Sequence, residues 1–502
     1  MFPFDQFTSQ SLNVLSSFFI FMVGVAFLIV VLLFISDISQ TKDAIRRNYP
    51  VIGRFRYIFS SLGAFFRQYF FAMDREEMPF NRAERSWVSN SSQGFDNTVA
   101  FGSTKNITPV GTALFINCPF PTLDAQATSA PAVMIGPYSR EPYEAQSIIN
   151  ISGMSYGSIS RPAVRALSNG ARLAGCWMNT GEGGLSEYHL EGGCDLVFQI
   201  GTAKYSVRAK DGKLDDSKLK KIAALPQVKM FEIKLSQGAK PGKGGILPGI
   251  KVTPEIAEIR GIEIGQSSIS PNRHPEISNI KELLSFVKHV REVTGKPTGF
   301  KVVIGSDGWL KELCEEIQQD HIECAPDFIT VDSCDGGTGA APMPLMDDVG
   351  LPIKESLPMV VDILSQYGLR RRIKIIASGK LITPSGVAWA LCSGADFITS
   401  ARGFMFALGC IQSLKCNKNT CPTGITTHNK NLQKGLNAEE KSIRVKNFVN
   451  KIHYGIGLIS HSCGVKHPRE LTRRHCRIVQ ANGKSKPLNF LYPEKVVLEK
   501  YR

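Results

Sequence analysis

The chain has 502 residues, 43% of them hydrophobic and 21% charged. That composition excludes disordered and collagen-like classes and leaves two to four domains or one large α/β barrel with extensions. Lys and Arg exceed Asp and Glu by 59 − 44 = 15, which suits an anionic membrane face; no nucleic-acid-binding motif accompanies the charge, and no nucleic-acid partner is expected. The twelve Cys are scattered through an enzyme-sized chain, a pattern unlike a small disulfide framework and closer to metal, cluster or buried-thiol roles in a reducing compartment.

Val14–Ile35 is uncharged, within an uncharged stretch from Gln6 to Ser36. About 20 apolar residues cross a bilayer, so one transmembrane helix is expected here. A buried core helix would not stay apolar on every face for so long. Only Asp5 precedes the run as a charge and no A-x-A-like site follows it, which argues against a cleaved signal peptide. Lys42, Arg46, Arg47, Arg54 and Arg56 all follow the run. The positive-inside rule then predicts a single-pass protein of the inner (cell) membrane with its body in the cytoplasm. Tyr57–Met73 is aromatic-rich but interrupted by Arg67 and reads as an interfacial or packing helix. A second span there would move the body out of the cytoplasm.

From Ser147 onward, short β-branched runs alternate with helical stretches. Residues 147–152, 177–180, 196–200, 228–235, 299–304, 327–332, 372–378 and 395–400 read as strands. Arg161–Ala174, Ile280–Thr294, Trp309–Gln319 and Pro384–Ser393 read as helices between them. Near-continuous apolar strands separated by helices indicate a parallel sheet covered on both faces. Eight of them over roughly 250 residues predict a (β/α)8 TIM barrel, with a doubly wound open sheet as the alternative. The predicted organisation is an N-terminal anchor (1–40), a juxtamembrane helix and extended arm (41–146), the barrel (147–463) and a basic C-terminal tail (464–502) that reads as a solvated or membrane-facing surface.

Glycine clusters fall at the C-terminal ends of these strands: SGMSYGS (152–158), NTGEGG (179–184), DGGTGAAP (335–342), SGK (378–380) and SARG (400–403). Glycine lets backbone N–H groups approach an anion or a flat ring closely, and the C-terminal rim is where barrel active sites form. The last two clusters follow the predicted seventh and eighth strands, the usual place of a barrel phosphate site. After the last strand, Cys410, Cys416 and Cys421 are spaced C-x5-C-x4-C. Three thiolates at that spacing suit an iron–sulfur cluster. Three buried free thiols are the competing reading, and zinc would need a fourth ligand such as His428.

With these motifs in view, residues 90–463 resemble the FMN-binding central domain of glutamate synthase. The resemblance rests on SGMSYGSIS (152–160), NTGEGG (179–184), EIKLSQGAKPGKGGILPGIKV (232–252), DGGTGAAP (335–342) and ALGC-x5-C-x4-CPTGI (407–425). It implies a TIM barrel with one FMN and one [3Fe-4S] cluster held by Cys410, Cys416 and Cys421. It also implies two-electron reduction of 2-iminoglutarate to L-glutamate, a step of glutamate biosynthesis. Carried over residue by residue, Lys234, Glu182 and Gln237 would be catalytic, and Lys240, Arg260 and Arg273 would bind the substrate's carboxylates. Met154, Ser155 and Tyr156 would meet the isoalloxazine edge. Asp335, Gly336, Gly337 and Thr338 would line the ring or ribityl side, and Gly379, Lys380, Arg402 and Gly403 would hold the phosphate. A charge such as Lys234 at the end of a buried strand is costly unless paired, so a structural ion pair with Glu182 or Glu232 is the competing role.

The chain departs from the family pattern in other places. It begins Met-Phe-Pro-Phe where an amidotransferase would present an N-terminal Cys, only about forty residues follow Cys463, and no strand leads into a G-x-G-x-x-G. Residues 270–277, SPNRHPEI, replace a richer proline–histidine stretch. Nitrogen is therefore expected from ammonia or a glutaminase partner, and electrons from a separate donor. The alternative function is a membrane-associated flavin dehydrogenase acting on another amino acid or 2-oxo acid. A non-catalytic cofactor-bearing scaffold is a third.

Overall fold

The structure is a computed structural model and describes residues 3–40, 43–66, 70, 73–320 and 322–501. Lys42 and Arg67, which entered the topology argument, lie outside the described residues. The chain divides into two compact units, Met1–Ala83 and Glu84–Arg502.

In the first unit, helix α1 (Pro3–Ser39) contains the apolar run. No charge or proline interrupts it from Gln6 to Ser36, and between Thr8 and Ser39 it is long and apolar enough to cross a membrane. Phe18, Phe19, Ile20 and Phe27 all stand more than half exposed. Near the end of α1, Asp37 is fully buried. Its carboxylate accepts bonds from Arg46 (2.8 Å), Arg54 (2.7 Å) and the Val51 N–H (3.0 Å). Helix α2 (Ile52–Phe66) covers the first part of the stretch read as an interfacial or packing helix.

The second unit is built on a closed parallel barrel. Its strands are β1 (Ile149–Ile151), β2 (Met178–Asn179), β3 (Leu196–Ile200), β4 (Val228–Lys234), β5 (Thr298–Val303), β6 (Phe328–Asp332), β7 (Lys374–Ser378) and β8 (Phe397–Ser400). Each falls within or across one of the eight predicted runs, and β8 pairs back onto β1 to close the ring. Register keeps the C-terminal ends level: Lys234 lies opposite Lys301, Val303 opposite Asp332, Asp332 opposite Ser378 and Ser400 opposite Ile151. The helices start and stop where local chemistry says they should. Helix α3 (Arg161–Ala174) begins with Ser160 accepting the Ala163 N–H and ends at Gly175 in a left-handed conformation. Helix α4 (Ile280–Thr294) is capped by Asn279, and α5 (Pro384–Ser393) by Thr383 with Pro384 behind it. The long helix α6 (Ala438–Ser462) packs on α3 and completes the outer layer.

The N-terminal mouth of the barrel is closed. A hairpin of Val133–Ile135 and Tyr143–Ala145, within the segment read as an irregular arm, packs Ile135 and Tyr143 into a cluster with Trp177, Met230, Phe328 and Phe397. The Trp177 ring meets Phe397 edge-on at 5.0 Å and Tyr143 at 6.3 Å. The interior at this end is filled by apolar side chains, which leaves the C-terminal rim as the end where a barrel site forms.

The basic C-terminal segment is folded onto the body of the second unit. Cys476–Val479 pairs with Ala113–Phe115 and with Ser485–Pro487, and Arg473 is buried in an ion pair with Asp362 at 2.6 Å. Arg469 donates to the carbonyls of Pro131 and Asp396. These arginines hold structure, while Lys466, Arg474, Lys484 and Lys486 remain exposed.

Candidate active site

The level strand ends make a rim onto which the glycine-rich loops converge. Two glycines show why no other residue fits. A Cβ at Gly238 would stand 2.1 Å from the Ser333 carbonyl and 2.6 Å from the Gly336 Cα, so the loops after β4 and β6 touch backbone to backbone. Gly379, after β7, has φ +135° and would drive a Cβ to 2.2 Å from the Ser333 side chain.

On one side of the rim is a cluster of charges. Lys234 Nζ, at the end of β4, pairs with Glu182 Oε1 at 2.7 Å and also donates to Gln237 Oε1. Gln237 in turn reaches the Gly337 carbonyl at 3.4 Å. Lys240 is buried nearby; burial, together with the Lys234 charge, lowers its ammonium pKa to about 8. Arg260 is buried as well. It donates to the Tyr156 carbonyl at 3.2 Å, lies over the Tyr205 ring, and would be 2.9 Å from a Cβ at Gly183. Burial alone would raise the Glu182 carboxyl, but Lys234, Lys240 and Arg260 hold it below the usual carboxylate range. The structure thus brings five of the predicted residues, Glu182, Lys234, Gln237, Lys240 and Arg260, into one constellation. Arg273 is not part of it. Its guanidinium is exposed and donates to the Ile277 carbonyl at 2.7 Å, bracing its own turn.

On the other side, Lys380 pairs with Asp335 at 2.7 Å. Arg402 donates to the Asp335 carbonyl at 3.0 Å and lies against Gly337. Burial works against the Asp335 charge, but Lys380 and the Ser333 hydroxyl keep its carboxyl below its ordinary value. The Gly403 N–H is held by Ser400 Oγ at 3.3 Å, and Thr338 Oγ1 donates to the Ala340 carbonyl at 3.0 Å. Met154 is buried, and Ser155 Oγ donates to Ser158 Oγ at 3.0 Å. The Tyr156 hydroxyl donates to Glu255 at 2.7 Å and its ring packs on Tyr188 and His428, so this side chain is anchored in the surrounding loops.

The cysteine loop lies beside the loop after β1. Gln412, Leu414 and Asn419 adopt left-handed backbone conformations, which coil the segment tightly. The Gln412 N–H points at Cys410 Sγ (3.4 Å), and the Cys421 sulfur meets the Thr423 hydroxyl at 3.3 Å. Burial pushes the Cys410 thiol up to about 11, with Cys416 and Cys421 adding to the rise. His428, the candidate fourth ligand for zinc, instead bonds the Gly157 carbonyl at 2.8 Å. Among the described residues, no three His, Cys, Asp or Glu side chains are arranged to share one metal ion.

Residues 114–466 match the family described as the conserved region in glutamate synthase. The chain belongs to the glutamate synthase family. A glutamate synthase large subunit-like protein of Bacillus subtilis is 41% identical over 496 residues, covering 91% of this chain and 94% of that one. An archaeal-type glutamate synthase (NADPH) of Thermotoga neapolitana is 33% identical over 319 residues, covering 63% of this chain and 59% of that one. An archaeal glutamate synthase (NADPH) of Methanocaldococcus jannaschii is 32% identical over 352 residues, covering 68% and 64%. The chain therefore spans nearly all of the first relative and about three fifths of the other two. Among solved structures, the flavin-binding domain of baker's yeast flavocytochrome b2 superposes over 83% of this chain and 86% of that one, at 14% identity and a TM-score of 0.46; that likeness reaches no further than the barrel shape.

The rim of this glutamate synthase family barrel also holds residues that the sequence reading passed over. Lys301 on β5 is buried and pairs with Asp332 on β6 at 3.2 Å. Burial opposes its charge, but Asp332 and Glu232 raise the ammonium pKa. Asp332 also accepts the Gly238 N–H at 2.9 Å, which ties the touching loops together. Glu232, named above as an alternative partner for Lys234, is buried and satisfied instead by Asn179 (2.8 Å), Gln199 (2.6 Å) and Thr330 (2.6 Å). The signal for Lys301 and Asp332 was the one that singled out Lys234: an ionisable residue inside an otherwise apolar strand.

Proposed function

We propose that this chain is a flavin- and iron–sulfur-dependent oxidoreductase of glutamate synthase type. In this reading it carries out reductive amination of 2-oxoglutarate, through 2-iminoglutarate, to L-glutamate. The observation that carries the reading is the buried constellation of Lys234, Lys240 and Arg260 around Glu182, facing a second cationic pair, Lys380 and Arg402, across the rim.

The residues fit FMN. Lys380 and Arg402 are cations at the ends of β7 and β8, and both lean on Asp335, the arrangement a phosphate dianion would compete for. The backbone at Gly238, Gly336 and Gly379 is packed loop against loop, which fixes the rim beside which a flat ring would lie. When bound, FMN supplies the hydride that reduces the imine carbon. Lys240 and Arg260 bind the substrate's carboxylates. Lys234 adds positive potential in a site where cations act more strongly than at a surface, and Gln237 orients it. Glu182, kept ionised by its neighbours, holds the substrate nitrogen and takes or gives the proton there. The cysteine loop fits a [3Fe-4S] cluster by its donor set, three thiols with an N–H aimed at one of them. Such a cluster distributes its thiolates over several irons, so the ligands need not share one ion.

Nitrogen then comes from ammonia or a glutaminase partner. The relatives' names point to NADPH as the ultimate electron source, delivered through a separate donor. Helix α1 is read as a single span, with the basic residues after it holding the body in the cytoplasm. A second reading, a membrane-associated flavin dehydrogenase using another amino acid or 2-oxo acid, is favoured by the apolar α1 and by the near full-length match to a relative named only as large subunit-like.

The test uses the full chain purified anaerobically in detergent. Flavin, iron and sulfide are assayed, the protein is reduced with dithionite, and oxidants are added in turn. Reoxidation by 2-oxoglutarate with ammonium, yielding L-glutamate, supports the first reading. Reoxidation only by other 2-oxo acids with ammonium, or reduction only by other amino acids, supports the second. A protein without flavin overturns both.

A further inference from the structure

Lys251 lies in the long excursion after β4 and is 2% exposed. Its ammonium group donates to the Ser158 carbonyl at 2.6 Å and to the Cys416 carbonyl at 3.4 Å. It therefore sits between the glycine-rich loop after β1 and the middle of the cysteine loop. Two other contacts join the same loops, His428 to the Gly157 carbonyl at 2.8 Å and the Ser160 N–H to the Ile425 carbonyl at 2.7 Å. Both of those are hydrogen bonds without a formal charge. Lys251 brings a whole positive charge to the junction.

Burying an ammonium group is unfavourable unless an opposite charge or a full set of acceptors offsets it. Among the described residues no carboxylate pairs with Lys251; both of its hydrogen-bond partners are backbone carbonyls. Two backbone carbonyls satisfy its hydrogen-bonding capacity only in part, since an ammonium has three donors. Lys251 touches the cysteine loop itself through the Cys416 carbonyl, so a negatively charged cluster on that loop is the counter-charge this site can take. An iron–sulfur cluster takes up one further negative charge on reduction, and charge, hydrogen bonding and burial around the sulfurs set its potential.

We propose that Lys251 is the counter-cation of the cysteine loop, favouring the reduced cluster and holding it against the loop that faces the flavin. It acts through the cluster and is a positioning residue. The inference rests on the reading that Cys410, Cys416 and Cys421 ligate a cluster.

The experiment compares wild type, Lys251→Met and Lys251→Arg as full-length protein purified anaerobically. Iron and acid-labile sulfide are assayed, and cluster and flavin midpoint potentials are read from an EPR- and absorbance-monitored titration. Lys251→Met is expected to keep its iron and flavin while the cluster midpoint shifts to a more negative value; Lys251→Arg is expected to stay near wild type. If Lys251→Met loses its cluster and Lys251→Arg keeps it, the charge is required even for retention, and the proposal stands. A Lys251→Met protein with full iron and an unmoved cluster midpoint overturns it. So does loss of iron in both variants, because shape rather than charge is then what Lys251 supplies. Wild-type protein without iron refutes the cluster reading itself, an outcome separate from any difference between the variants.

Discussion

Lys234 and Glu182 meet at 2.7 Å with both side chains largely buried, so their catalytic contributions should not add. Consider Lys234→Met, Glu182→Gln and the double variant, assayed for flavin reoxidation by 2-oxoglutarate with ammonium. Losing one preorganised charge at a developing charge typically costs about 10²–10³ in rate, or about 2.7–4 kcal/mol. In Lys234→Met, Glu182 still faces Lys240 and Arg260, which places that loss near 10². In Glu182→Gln, Lys234 is left beside Lys240 with only Gln237 as partner, and two uncompensated cations place the loss nearer 10³. In the double variant the pair is gone as a unit, and the loss should stay near 10³, far short of the product of the single losses, about 10⁵. The missing factor of about 10² corresponds to a coupling energy of about 2.7 kcal/mol. FMN content should be unchanged in all three, since Lys380 and Arg402 lie on the other side of the rim. A double variant that loses the full product would refute the reasoning, because the two groups would then act at separate points of the reaction. Release of FMN from Lys234→Met would show that Lys234 contacts the flavin rather than the substrate.

Lys240, lowered to about 8 by burial and by the Lys234 charge, is charged below that pH and neutral above it. The KM for the dicarboxylate should therefore rise as pH passes 8, and in Lys240→Arg that rise should disappear from steady-state profiles. Arg402→Ala should weaken FMN binding about tenfold to a hundredfold, the worth of a charge-assisted hydrogen bond, as measured by titrating apoprotein with FMN and following flavin fluorescence. Cys416→Ser should lose iron and sulfide while circular dichroism shows an intact barrel; zinc in the wild type would refute the cluster assignment. A reporter fused after Arg502 should report a cytoplasmic location, and a signal from the opposite side would invert the topology.

The barrel was legible because its strands are apolar on both faces and short enough to stand apart from the helices. Helix α3 was legible to the residue, since Ser160, Pro162 and Gly175 mark its ends chemically. Lys234 stood out as a charge in a buried strand. Its counterparts Lys301 and Asp332 carried the same signal, but the family motifs drew attention to the loops. Arg273 was misplaced because the excursion from Leu235 to Asn279 has no periodicity from which to read direction. Lys251 was missed for the same reason, although it lies inside the quoted string 232–252. The hairpin that plugs the barrel was taken for irregular chain because each of its strands is three residues long, below the length at which alternation becomes visible. The arginines of the C-terminal segment looked solvated because sequence alone does not show that Asp362 and the Asp396 carbonyl wait for them.

The polar bonds inside the barrel have a consequence for how its sequence can change. Glu232 on β4 is satisfied only if Asn179 on β2, Gln199 on β3 and Thr330 on β6 all point inward at the same height. A slip of one residue in any of these strands turns every side chain to the opposite face, and here it would leave a carboxylate unpaired and push an amide among the outer helices. The network thus works as a combination lock on strand alignment, one that an all-aliphatic interior would lack. Its members should be exchangeable only as a set: Glu232→Gln or Asn179→Leu alone strands a buried group at a cost of about 1–3 kcal/mol. Only joint apolar replacement escapes that cost, and it gives up the alignment in return.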